Sequence, residues 1–391
     1  MKWNYMVCLL LVAVILGGCT KKEDKPVNDS KEKVEQPVVY ADLYDKELEV
    51  YGLDGVVEAQ IELANRYDYG TAEKGQNYEM AKEWYEKAAA AGSKEALNAL
   101  GNMYLNGILG ESDLEQAYIF FDEAAKQGYT DAYVGIGRTL LAGYTGFTLQ
   151  EVLEETQEEA DGEDPDATVA AYRFIAKAYE TKSPLSTYYM AYCLEDGIGV
   201  EPDPAKAMEL YEQVANMKDL SIYDAYLTDA AKTRQGIMYV DAKGVEQDYE
   251  KALSLFKKSA ANEYAMAQYY VGLMYENGYG VKEHDYKEAC KWYEKAAEQE
   301  YAPALNQLGY MYYKGTGVDA DLDQAIYYHK LSAMQGYAAA QINLGYLYEN
   351  GIGVEQNYET ALKYYQMAAE QDNEGAREAA TRVQKKLDEE K

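Results

Sequence analysis

Residues 304–337 read ALNQLGYMYYKGTGVDADLDQAIYYHKLSAMQGY, and residues 340–372 read AQINLGYLYENGIGVEQNYETALKYYQMAAEQD. The same order of letters runs from 267 to 301 as AQYYVGLMYENGYGVKEHDYKEACKWYEKAAEQEY. Ala304, Ala340 and Ala376 are spaced by 36 residues each time. A period of that length marks a stack of supersecondary units. Within one unit, a small residue is followed by Leu-Gly and then Tyr: Ala96, Leu100, Gly101, Tyr104, or Ala304, Leu308, Gly309, Tyr312. These positions share one face of a 3.6-residue helix. Gly inside a helix costs about 1 kcal/mol relative to Ala, so its recurrence predicts a close approach by a neighbouring helix. The turn that follows is Gly-x-Gly-Val at 197–200, 278–281, 315–318 and 351–354. Its first Gly can take positive φ and end the helix.

A second helix follows each turn. Asn77, Asp113, Asp166, Asp203, Asp248, Asp285, Asp321 and Asn357 each stand four residues before an Ala. An Asx side chain accepts from the free N–H groups of a first helical turn, so all eight are predicted N-caps. Four residues after each Ala comes Tyr85, Phe121, Phe174, Tyr211, Phe256, Tyr293, His329 or Tyr365, a predicted core position. His329 is expected to fill the core as an aromatic would. Three copies depart from the pattern. The first has Ala64 in place of the helix Gly, the third carries an acidic insertion at about 146–165, and the fourth carries extra residues near 217–227.

These residues resemble the Sel1-like repeat family, a relative of the tetratricopeptide repeat. The resemblance covers roughly residues 55–375 and implies an all-α fold, an α/α solenoid of about eight helix-turn-helix repeats. Residues 376–391 lack the aromatic pattern and are expected to form a C-terminal capping helix.

The chain has 391 residues, 37 Lys plus Arg and 68 Asp plus Glu, for a formal charge of −31. That balance opposes binding to nucleic acid and docking of a basic face on anionic lipid. Two His and four Cys offer little for a metal site or a disulfide framework. Cys193 and Cys290 lie two repeats apart and are predicted to be separate buried thiols. Asp319, Asp321 and Asp323 begin like a calcium loop, but Gln324 and Lys330 replace its Gly and Glu. Ser254 and Lys257 match Ser-x-x-Lys by letters, inside a repeat helix and without the companion motifs. No catalytic residue, metal or cofactor is expected.

The N-terminus reads as an address. Lys2 precedes an apolar run of 11 residues from Met6 to Leu16, too short to span a bilayer as an ordinary helix. Leu16-Gly17-Gly18-Cys19 resembles the bacterial lipobox. The resemblance implies a signal peptide at 1–18 and lipid attachment at Cys19. That would place the protein on the extracytoplasmic face of a bacterial cell membrane. Two acyl chains would anchor it stably. Residues 19–54 follow as the lipidated Cys and a flexible tether.

Counted from the helix Gly, positions −3, +1 and +4 form a second stripe on each first helix. It holds Tyr188, Tyr192 and Glu195, then Tyr269 and Glu276, then Asn306, Tyr310 and Tyr313, then Tyr346 and Glu349. In the related tetratricopeptide solenoids this stripe lines the concave groove. By that resemblance Tyr188, Tyr192, Tyr269, Asn306, Tyr310, Tyr313 and Tyr346 are candidate partner-binding residues. Tyr brings large area with few rotors, and the acids would favour a partner with a basic segment. The expected function is a membrane-anchored scaffold that binds a protein or peptide. The alternatives are an envelope glycan-binding module and a hydrolase of unrecognised type.

Overall fold

The computed structural model describes residues 38–73, 75–147, 166–218, 220–221 and 224–389. The lipobox, the tether up to residue 37 and residues 148–165 of the acidic insertion lie outside the described residues. Eighteen α-helices follow one another, with no strand among the described residues. They are α1 (Asp45–Leu53), α2 (Val57–Tyr69), α3 (Tyr78–Ala90), α4 (Lys94–Leu105), α5 (Leu114–Lys126) and α6 (Ala132–Leu141). Then come α7 (Ala167–Tyr179), α8 (Pro184–Asp196), α9 (Pro204–Ala215), α10 (Tyr226–Asp241), α11 (Tyr249–Ala260) and α12 (Ala265–Asn277). The series ends with α13 (Tyr286–Glu298), α14 (Ala302–Lys314), α15 (Leu322–Met334), α16 (Ala338–Asn350), α17 (Tyr358–Ala369) and α18 (Glu374–Glu389). The described residues from Tyr40 onward form one unit. No described helix is long and apolar enough to cross a membrane.

Each helix packs on the next in the chain, as a solenoid requires. The eight repeats are the pairs from α2–α3 to α16–α17. First helices also meet across repeats, α4 with α6, α6 with α8, α8 with α10 and α10 with α12. The second helices have no comparable contact with one another, so the first helices occupy the inner side of the stack.

All eight predicted N-caps accept a backbone N–H, from Met80 onto Asn77 at 3.1 Å through to Thr360 onto Asn357 at 2.7 Å. All eight aromatic-slot residues are buried. Gly101, Gly236, Gly272, Gly309 and Gly345 lie against that slot in their own repeats. A Cβ on Gly272 would stand 2.5 Å from the Tyr293 ring. At these five glycines the close neighbour is therefore the second helix of the same repeat, while Gly135 meets Phe121 of the preceding repeat. The two turn glycines have separate tasks. Gly278 ends α12 at φ 73°, while a Cβ on Gly280 would meet the Tyr249 carbonyl at 2.5 Å, where the turn crosses the start of the preceding second helix. Cys193 and Cys290 are free and buried, and burial pushes both thiols up to about 12.

The structure shortens the tether assigned to 19–54. Tyr40–Asp42 is a 3-10 turn, and α1 packs on α2 with Leu48 fully buried. Arg66 of α2 fastens this segment: it donates to Leu43 O at 2.8 Å, Ala41 O at 2.9 Å and Asp45 Oδ1 at 2.9 Å. The segment covers the apolar flank that the first repeat would otherwise expose. At the other end α18 begins at Glu374, two residues before the predicted cap.

Candidate functional site

The +4 carboxylates, expected to face a partner, turn inward instead. Glu195 accepts from the Tyr211 hydroxyl at 2.9 Å, Glu276 from Tyr293 at 2.5 Å and Glu349 from Tyr365 at 2.9 Å. In the first repeat the equivalent Asp68 and its neighbour Asn65 accept from Tyr85 at 3.3 and 2.7 Å. The following helix then binds the same carboxylate: Arg234 reaches Glu195 at 2.5 Å, Gln307 reaches Glu276 at 3.2 Å, and Arg382 with Lys386 reach Glu349 at 2.8 and 3.0 Å. A buried phenol needs an acceptor, and an enclosed carboxylate needs donors, so each of these three clasps satisfies both while joining a repeat to the helix that follows it. Burial, followed by the facing carboxylate, raises the hydroxyls of Tyr211 and Tyr293 far above the ordinary phenol value. These acids are engaged in the structure, with Glu195 and Glu349 buried and Asp68 and Glu276 partly so.

The tyrosines of the stripe divide in two. Tyr188 is half-buried and packs edge-on against Tyr189 and Tyr211, both at 5.4 Å between ring centres. Tyr192 is half-buried under the Arg234 guanidinium, 5.3 Å from its ring centre. Tyr269 is wedged among Tyr270, Tyr293 and Tyr301 at 5.5–5.7 Å. Asn306 is buried, where its Oδ1 faces His329 Nδ1 at 3.0 Å and accepts from Asn343 Nδ2 at 2.9 Å. Tyr310 and Tyr346, by contrast, are 42% and 46% exposed.

Tyr310, Tyr313 and Tyr346 come together in one cleft of about 210 Å³ between repeats seven and eight. α14 supplies Tyr310, Tyr313 and Lys314, α16 supplies Asn343, Tyr346 and Leu347, and α15 supplies His329 between them. Lys314 Nζ lies 5.6 and 4.9 Å from the ring centres of Tyr310 and Tyr313. The cleft has a local cause. Repeats six and eight place a phenol and a carboxylate at the equivalent positions, whereas repeat seven has the shorter His329 and, at +4, Tyr313. The slot thus keeps an aromatic ring but loses the clasp.

The Sel1 repeat profile matches residues 57–93, 94–129, 184–219, 231–264, 265–301, 302–337 and 338–373, well over half of the chain. The chain belongs to the Sel1 repeat family. It is 28% identical over 258 residues to an uncharacterized protein of Neisseria meningitidis serogroup B, a match that covers 56% of this chain and 54% of that one. The chain thus spans about half the length of that relative. It is 25% identical over 196 residues to a Sel1-repeat-containing protein of Escherichia coli K12, covering 50% of this chain and 73% of that one. Among solved structures, a Sel1 repeat protein from Oxalobacter formigenes is 23% identical, with 86% of this chain and 89% of that chain covered and a TM-score of 0.48.

The family profile passes over the Sel1 repeat that carries the acidic insertion, yet α6 and α7 pack together as a pair there. Sequence reasoning placed three cleft residues, Tyr310, Tyr313 and Tyr346, and missed His329, Lys314 and Asn343 as their companions. A signal for the clasp was present. Slots with Tyr85, Tyr211, Tyr293 and Tyr365 go with Asp68, Glu195, Glu276 and Glu349, while Phe121, Phe174 and Phe256 go with Leu105, Leu141 and Val240. Acid appears only where a buried hydroxyl needs it. Among the described Sel1 repeats no group of three or more His, Cys, Asp or Glu residues is arranged to hold a metal ion.

Proposed function

We propose that this protein is a scaffold that binds a protein or peptide along the first-helix face of its Sel1 repeats, with no chemical step. The observation that carries the reading is the exposed pair Tyr310 and Tyr346, set on a cleft at the seam between two first helices. Rigid aromatic side chains give contact area at low entropy cost, and helices packed on both sides pre-organise them. A Sel1-repeat solenoid fits a protein-interaction role. The formal charge of −31 favours a partner with a basic segment through long-range steering, since the nearest carboxylates are engaged inside. The lipobox resemblance at Leu16–Cys19 supports anchoring on the extracytoplasmic face of a bacterial membrane.

The test is capture from an envelope extract by the parent chain and by a Tyr310→Ala, Tyr346→Ala variant of equal helicity. A protein retained by the parent and lost by the variant is the expected outcome. Equal retention by both would remove the cleft face from the reading. For the anchor, Cys19→Ser should move the protein from the membrane fraction to the soluble fraction, and an unchanged distribution would refute the lipid.

A further inference from the structure

We infer that the cleft between repeats seven and eight is an anchor pocket for one aromatic side chain that carries a hydrogen-bond donor, the phenol of a Tyr or the indole of a Trp on a partner segment. This rests on the scaffold reading above and names what the partner must present. The floor of the cleft decides it. His329 is 2% exposed, and its Nδ1 lies 3.0 Å from Asn306 Oδ1. That oxygen also accepts from Asn343 Nδ2, so it is an acceptor twice over and the Nδ1 proton belongs to His329. Nε2 therefore carries the lone pair. It has no hydrogen-bond partner among the described residues, and it is not among the side-chain atoms sealed from solvent without one. Burial holds the ring at about 4, well below the ordinary His value of 6.5, so near neutral pH the ring is neutral, with Nδ1–H as its donor and Nε2 as its acceptor.

Size and wall chemistry select the occupant. At about 210 Å³ the cleft is below the roughly 300–1,000 Å³ of ordinary small-molecule sites and suits a single side chain. Tyr310, Tyr346 and Leu347 contribute aromatic and aliphatic surface to the lining. Lys314 disfavours a cationic tip. A Phe would cover Nε2 without satisfying it, which the loss of one buried hydrogen bond makes roughly tenfold worse. A sugar ring would also meet donors and acceptors here, in Asn343, Lys314 and the tyrosine hydroxyls, so the test carries a sugar as competitor.

Saturation-transfer NMR on the full chain, with N-acetyl-tyrosinamide, N-acetyl-phenylalaninamide and N-acetylglucosamine as probes, tests this. The tyrosine amide should bind roughly tenfold more tightly than the phenylalanine amide. His329→Phe should abolish the preference. That variant is expected to fold, because Phe121, Phe174 and Phe256 occupy the same slot in other repeats, and circular dichroism checks it. Equal binding of the two amides, no binding of the tyrosine amide, a preference that survives in His329→Phe, or the sugar binding best would each overturn the inference. The scaffold reading fails separately. If a captured protein is retained by His329→Phe and lost by Tyr310→Ala, Tyr346→Ala, the scaffold stands and the anchor falls. If the amide preference holds and no protein is captured, the reverse is true.

Discussion

The hydroxyl of Tyr293 and the carboxylate of Glu276 form a unit that is worth less when halved than when absent. Tyr293 is fully buried and donates a hydrogen bond to Glu276 at 2.5 Å, with Gln307 as the second donor at 3.2 Å. Removing the acceptor strands a phenol inside the repeat, at a cost of about 1–3 kcal/mol. Glu276→Leu should therefore destabilise the protein by about 2 kcal/mol in urea unfolding. Adding Tyr293→Phe should recover most of that loss, because Phe over Leu is the pairing that repeats two and three use at Phe121/Leu105 and Phe174/Leu141. A double variant no more stable than Glu276→Leu alone would show that the clasp is not the unit of stability. The same logic explains repeat seven. With His329 in the slot and Tyr313 at +4, neither half of the clasp is present, and what remains is a ring nitrogen beside an open cleft.

At the scale of single helices, the molecule closes its two ends by different means. α1 is held by Arg66 through backbone carbonyls and Asp45, whereas α18 is held by Glu349 of α16 through Arg382 and Lys386. The Arg382 hydrogen bond, with those of Lys386 and Tyr365, pulls Glu349 from its usual 4.5 down to about 2. A carboxylate lowered by folding adds stability that is complete above pH 4.5 and is lost as pH falls toward 2. Because Arg382 and Lys386 stand partly in water, the contribution is of order 1–2 kcal/mol. Acidification through this window should strip hydrogen-exchange protection from α18 before the central repeats. Arg382→Ala should produce the same local loss at neutral pH. Protection in α18 that tracks the central helices in both experiments would deny Glu349 its role as the fastening. These two ends also mark the limit of what the sequence discloses. The eight N-caps were legible because a cap is a matter of a few adjacent residues, from Asn77 to Asn357. α1 was not, since DKELEVYGL buries only one large apolar side chain, Leu48, and is ordered by Arg66 more than twenty residues away. The cleft was half legible: the stripe spacing reached Tyr310 and Tyr346, while His329 comes from a second helix that no first-helix pattern can report.

Across the whole molecule, stability is a chain of nearest-neighbour contacts laid under a large excess of negative charge. A stack of repeats has no central core to concentrate its cohesion, so each interface must hold against the repulsion among carboxylates that have no partner. With 68 acidic side chains against 37 basic ones, many carboxylates stay without a counter-charge even after every Lys and Arg is matched. The clasps withdraw Glu195, Glu276 and Glu349 from this field and use them as joints. Exposed acids lie along the starts of the second helices, as at Glu79, Glu115, Glu250 and Glu359, where the free N–H groups favour one charge per helix but do nothing for repulsion between helices. Salt screens charges separated by more than about 10 Å at 0.1 M and leaves the buried clasps nearly untouched. Raising NaCl from about 20 mM to about 500 mM should therefore raise Tm by several degrees, since the repulsion between repeats is screened and the attraction inside them is not. A Tm that falls over the same range would mean that exposed ion pairs such as Lys206–Glu209 and Lys291–Glu288 carry the fold, and that the buried clasps do not.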